Sequence, residues 1–131
     1  MIKYEYHGTK EQGQLDNITV AVKEAHHYGA SINCDLTHVE RHSPDGFQWG
    51  YGGSGPADLA LSILIHFCKK RDLLPEVAEK YYQEFKFAFI VPADNELKIT
   101  CKDIARWLAD KDPQLEDVLF EERKDDYEQK A

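Results

Sequence analysis

Residues 47–70 read Phe47-Gln48-Trp49-Gly50-Tyr51-Gly52-Gly53-Ser54-Gly55-Pro56-Ala57-Asp58-Leu59-Ala60-Leu61-Ser62-Ile63-Leu64-Ile65-His66-Phe67-Cys68-Lys69-Lys70, and this stretch decides the fold. An alternating aromatic segment, with Phe47, Trp49 and Tyr51 on one face, runs through four glycines into an almost wholly apolar helix. Leu59, Leu61, Ile63, Leu64, Ile65 and Phe67 surround that helix, and a helix that is apolar all round lies in the middle of a core. Asp58, Ser62 and His66 form its polar strip, at i, i+4 and i+8. Pro56 is expected at the first helical position, with Asp58 in the first turn, because proline's fixed φ and missing N–H are tolerated there. Lys69, Lys70 and Arg71 suit the negative end of the helix dipole.

On the N-terminal side the chain reads as strands. Ile2, Tyr4 and Tyr6 alternate with polar residues. Ile18, Val20 and Val22 share a face, as do Ile32, Cys34 and Leu36. Ser43-Pro44-Asp45-Gly46 has the chemistry of a hairpin turn, with proline at the second position and glycine in the left-handed one. A strand through His42 and a return strand Phe47–Tyr51 are therefore expected, with Arg41 stacked on Trp49. On the C-terminal side the chain reads as helices. Pro75 opens one that runs to about Val91, with Val77, Tyr81, Phe85 and Ala88 inward, and Pro92 stops it. Leu97 and Ile99 make a short strand-like step. Thr100 and Asp103 resemble a capping box, and the helix from Lys102 to Asp110 turns Ile104, Trp107 and Leu108 inward. Strands followed by helices predict an α+β fold: an N-terminal antiparallel sheet of three to four strands with about three helices packed on one face.

The length of 131 residues suits one domain, read as 1–114, followed by an acidic helix and tail over 115–131. Acidic residues outnumber basic ones 24 to 16, a net charge of −8, which disfavours direct nucleic-acid binding. Three cysteines without a C-x-x-C pair argue against a disulfide framework or zinc ribbon and for a reducing cytoplasm. No signal-like or membrane-spanning apolar run is present. Cys34 and Cys68 fall in apolar patterns and are expected to be buried.

Two groups of residues invite a functional reading. Gly50, Gly52 and Gly55 fit G-x-G-x-x-G, but the βαβ context of a dinucleotide site is missing, as is the Lys-Ser/Thr of a P-loop. The favoured reading is structural: the glycines turn the chain from the aromatic segment into the helix. The alternative is a small-ligand or phosphate site, or a small enzyme, at Trp49, Gly50, Tyr51, Gly52, Gly53, Ser54 and Gly55. The second group is His38, Glu40 and His42, a candidate metal site if the three share one strand face; a solvated face is favoured. Asp58, Ser62 and His66 contain the residue types of a hydrolase triad, but triad members normally converge from separate segments. No catalytic residue and no cofactor are assigned.

Residues 42–64, from His42-Ser43-Pro44-Asp45-Gly46-Phe47-Gln48-Trp49-Gly50-Tyr51 through Gly52-Gly53-Ser54-Gly55-Pro56-Ala57-Asp58-Leu59-Ala60-Leu61 to Ser62-Ile63-Leu64, resemble the signature of a small domain family of unknown function in bacteria, phages and mobile elements. A weaker match continues through Tyr82-Gln83-Glu84-Phe85-Lys86 and the Ile104/Trp107/Leu108 helix. The resemblance implies a compact cytoplasmic accessory protein and carries over no catalytic residue. The expected function is thus non-enzymatic binding of a protein partner, through the aromatic–glycine segment or the acidic tail. Pairing of two copies along an exposed edge strand, Ile2–Tyr6, is a further expectation.

Overall fold

The computed structural model describes residues 3–26 and 29–120. Strict alternation builds β1 (Lys3–Thr9), where Tyr4, Tyr6 and Gly8 turn inward while Lys3 and Thr9 face solvent. β2 (Ala21–Ala25), β3 (Ser31–Asp35) and β4 (Glu96–Thr100) complete the sheet. Among the described residues these four strands form one antiparallel sheet in the order β3-β2-β1-β4. Tyr6 is the pivot, opposite Val22 on one side and Ile99 on the other.

α1 (Ser54–Arg71) is the central helix that its composition predicts, with Leu59, Ala60, Leu61, Ile63 and Phe67 fully buried. It packs on the inner face of the sheet, where His66 meets the Tyr4 and Tyr6 rings at 6.0 and 5.4 Å. It begins two residues earlier than expected, capped by Gly53, so Pro56 is its third residue and Asp58 lies in the second turn. Proline is still tolerated there, because the first four N–H groups of a helix have no intrahelical acceptor. α2 (Pro75–Phe85) opens at its proline. α3 (Cys101–Lys111) starts at the Thr100/Asp103 capping box, with both reciprocal hydrogen bonds formed at 3.1 Å. A short 3₁₀ turn (Pro113–Leu115) leads to α4 (Glu116–Phe120), whose Leu119 is buried in the core. Arg71 holds α4 by donating to the carbonyls of Val118 and Leu119. The expected mobile tail beyond this point lies outside the described residues.

Several expectations are corrected. β1 is interior to the sheet, so it offers no free edge for pairing with a second copy. β3 ends at Asp35, and neither a strand through His42 nor the return strand Phe47–Tyr51 forms; residues 36–53 are irregular. The turn at Pro44-Asp45 is present, and Gly46 takes φ +104°. The flanks cannot be strands because Phe47, Gln48 and Trp49 are all buried, whereas a strand turns alternate residues to opposite faces. Trp49 enters the core and donates its indole N–H to Asp94 O at 2.5 Å. The cation over its ring is Lys10, at 4.8 Å, and not Arg41, which pairs with Glu79. Cys34 and Ile32 are exposed, because β3 is an edge strand that the helices leave uncovered. Ala88 is also exposed. α2 continues as a π-helical turn (Lys86–Ile90), marked by the Val91 N–H to Lys86 carbonyl bond of 2.9 Å. The wider turn carries Ile90 into the core in its place and leaves Phe87 outside.

β1 and Trp49 meet at Gly8, where a Cβ would stand 2.9 Å from the indole Cη2. Gly8→Ala is therefore expected to lower the stability of the whole domain by about 1–3 kcal/mol through overpacking, read as a lower urea midpoint with unchanged slope.

Candidate functional site

The 36–53 segment has neither ladder nor helix to satisfy its backbone, and a buried amide without a partner is costly. α1 supplies the acceptors. Asp58 is 0% exposed. Its Oδ2 accepts from the His38 ring Nε2 at 2.8 Å, from Ser43 N at 3.0 Å and from Arg41 N at 3.2 Å. Its Oδ1 accepts from His42 N at 2.8 Å. One helical turn on, Ser62 Oγ accepts from Val39 N at 2.9 Å. One further turn on, His66 Nδ1 pairs with the Tyr6 hydroxyl at 2.7 Å. The polar strip thus anchors two separate segments, residues 38–43 and β1, and its members do not bond one another as a triad would.

Electrostatics follow from this geometry. Burial alone would raise the pKa of Asp58. The His38 ring and the three backbone donors outweigh burial and hold the carboxyl below its ordinary value of 3.8. Burial, with Lys70 nearby, lowers His66 below its ordinary 6.5. Burial also keeps the Tyr6 phenol protonated, so Tyr6 is the donor to a neutral imidazole.

The candidate metal residues are not brought together. His38 is held by Asp58, with its ring 4.8 Å from Phe47, and His42 stacks on Tyr82 with Nε2 2.8 Å from the hydroxyl. Glu40 is exposed. Among the described residues no group of three or more His, Cys, Asp or Glu is placed to hold a metal ion.

The glycine-rich segment separates into buried and exposed parts. Trp49 is fully buried; its N–H donates to Gln48 Oε1 at 3.1 Å, and its carbonyl accepts from Lys10 Nζ at 2.6 Å. Gly50 has φ +92°, and its N–H donates to Ile90 O at 3.0 Å. The amides of Trp49 and Gly50 are therefore committed within the chain. Gly55 lies against Gln48, where a Cβ would come within 2.8 Å of the Gln48 Cβ. Ser54 is exposed at the first turn of α1. Tyr51 is 51% exposed, with its ring over Gly53, and Phe87 is 63% exposed, beside Gly52. The two aromatic rings flank the Gly52–Gly53 backbone on the surface. Sequence reasoning missed Phe87. Its signal was Phe85, Phe87 and Phe89 at i, i+2 and i+4, a spacing that no single face of a regular helix can absorb. The loop-holding role of Asp58 was missed as well; its signal was a carboxylate embedded in an otherwise apolar helix, which must find donors.

Asp58→Ala would leave the His38 ring and three amides without their acceptor, so a loss of about 3 kcal/mol is expected in urea unfolding. The pH dependence follows from the same groups. The folded pKa values of His66, Glu24 and Asp58 are all depressed. Each group's contribution is complete above its ordinary value and is lost as the pH falls through its folded one. Stability should therefore drop in two stages, first below about pH 6.5 and again below about pH 4. His66→Gln, which keeps an acceptor for Tyr6, should flatten the first stage and leave the second.

No curated protein and no solved structure matches the chain. A family model does match, over residues 6–110, and the chain belongs to that family, the family of unknown function DUF6166.

Proposed function

We propose that this chain is a small, non-enzymatic cytoplasmic accessory protein, of the kind carried by phages and mobile elements, that works by binding a protein partner. The aromatic pair Tyr51 and Phe87 carries this reading: two large rings half or more exposed on a surface whose backbone is already held in place. Exposed aromatics on a preordered surface give contact area at low entropic cost. The residues of catalytic type nearby support it too. Asp58, Ser62, His38 and His42 all have partners within the chain. Lys86 lies buried against the Phe87 ring and Lys10 is held by Gln48 and the Trp49 carbonyl, so the rings themselves specify the partner's chemistry: an apolar cleft. The free cysteines fit a reducing compartment. Among the described residues no helix is long and apolar enough to cross a membrane.

Photo-crosslinking in the native host tests the surface directly. A photoreactive phenylalanine at position 51 or 87 should cross-link one common protein. The same group at Leu15 or Leu74, which are more exposed but lie elsewhere, should not. Tyr51→Ser combined with Phe87→Ser should abolish association with that protein without lowering the urea midpoint. Equal cross-linking from all four positions, or none from 51 and 87, would refute the proposal.

A further inference from the structure

The two margins of the sheet differ. β4, at one end, turns Leu97 and Ile99 into the core and carries the charges Glu96 and Lys98. Charged side chains on an edge strand discourage pairing with another chain. β3, at the other end, reads Ser31-Ile32-Asn33-Cys34-Asp35; it has no lysine and no proline, and every residue in it is exposed.

The hydrogen bonds of the hairpin say which backbone groups of β3 are left over. The His26 N–H donates to Ala30 O at 2.9 Å, and the Leu36 N–H to Val20 O at 2.7 Å. Both pairs continue the register of β2 and β3, in which Val22 lies opposite Cys34 and Glu24 opposite Ile32. Bonded pairs in an antiparallel ladder recur at every second residue, so Ile32 and Cys34 direct their backbone groups at β2. The N–H and C=O groups of Ser31, Asn33 and Asp35 point the other way, off the sheet, and have no partner among the described residues. The side chains are sorted as well. Ile32 and Cys34 share the sheet face of Val22, Tyr4 and Tyr6, which α1 covers, yet both are exposed, Ile32 by 49%.

We infer that β3 is where a second copy of this chain pairs, antiparallel, in a two-fold dimer that joins the two sheets into one. The strand is self-complementary. An axis centred on Asn33 brings all three outward residues of each copy into bonding, Asn33 with its own counterpart and Ser31 with Asp35 of the second copy. Ile32 then lies opposite Cys34 of the second copy in a non-hydrogen-bonded pair, where side chains approach closest, so the exposed apolar atoms cover one another. Asp35 meets a serine hydroxyl and not another carboxylate. Charge favours this stretch over the rest of the surface. Two chains of net charge −8 repel, but residues 31–34 are uncharged and present free donors and acceptors. A contact in which the same patch serves both copies closes on itself.

Sedimentation equilibrium of the full chain tests the inference, and a mass twice that of one chain is expected. Asn33→Pro removes an outward N–H and leaves the bonds to β2 in place, as proline on an edge strand can. Ile32→Lys puts a charge at an exposed position. Each should return the mass to that of one chain while the circular dichroism spectrum stays unchanged. Ile32→Cys should give a covalent dimer on mild oxidation, through Cys34 of the second copy, because the Cα atoms of such a pair stand about 4.5 Å apart. Adding Cys34→Ser should abolish that link. Leu15→Ser, at an exposed apolar residue elsewhere, and the combined Tyr51→Ser and Phe87→Ser variant should keep the doubled mass. A single-chain mass for the unaltered protein would overturn the inference and leave the edge to an extended segment of another protein. A doubled mass that survives both β3 variants, an equal loss of it in Leu15→Ser, or no Cys34-dependent link would also overturn it.

Discussion

A single buried carboxylate organises the region on which the rest of the molecule depends. Asp58 is fully buried on the central helix α1. A carboxylate in such a place is strongly unfavourable unless donors surround it. The chain between β3 and α1 has the complementary problem, a run of amides with no strand or helix to absorb them. Each satisfies the other. Oδ1 and Oδ2 gather the His38 ring and the Arg41, His42 and Ser43 amides, and the segment leaves this anchor in a fixed direction. That direction delivers Phe47, Gln48 and Trp49 inward together.

The second irregularity, the π turn after α2, meets the first: the Gly50 N–H donates to the Ile90 carbonyl, and the wider turn carries Ile90 inward. The same turn leaves Phe87 outside, next to Gly52. The exposed aromatic pair is therefore built from two departures from regular structure that meet across the chain. π turns recur at functional sites for this reason: they reposition a side chain without ending the helix. At the opposite end of α1, Arg71 ties α4 to the core by two carbonyls, beside a cavity between α4 and the sheet.

Much of the architecture was legible from local pattern. Alternation exposed β1, a continuous apolar surface marked α1 as central, Pro75 and Pro92 bracketed the second helix, and Thr100 with Asp103 announced the third. The membership of the sheet was less legible. The strand completing it is Glu96–Thr100, which pairs with β1 across about ninety residues of sequence. The Ser43–Gly46 turn was read correctly, but its flanks were taken for strands because Phe47, Trp49 and Tyr51 alternate. In the structure Trp49 is buried and Tyr51 is exposed, so the alternation reflects no common face. At the site, Gly50 turns the chain with φ +92°, whereas Phe87 was hidden by the assumption of a regular helix.

The sequence alone determined which segments are helical, that Thr100 and Asp103 cap the third, and that one helix must be wrapped by everything else, because these follow from local pattern and the 3.6-residue and two-residue periods of local structure. The tertiary structure alone decided which donors answer Asp58, which strand borders β1 and which phenylalanine faces solvent. Those outcomes depend on groups fifteen or more residues apart finding each other's unsatisfied hydrogen-bonding atoms and apolar surfaces. No periodicity within a single element records that pairing.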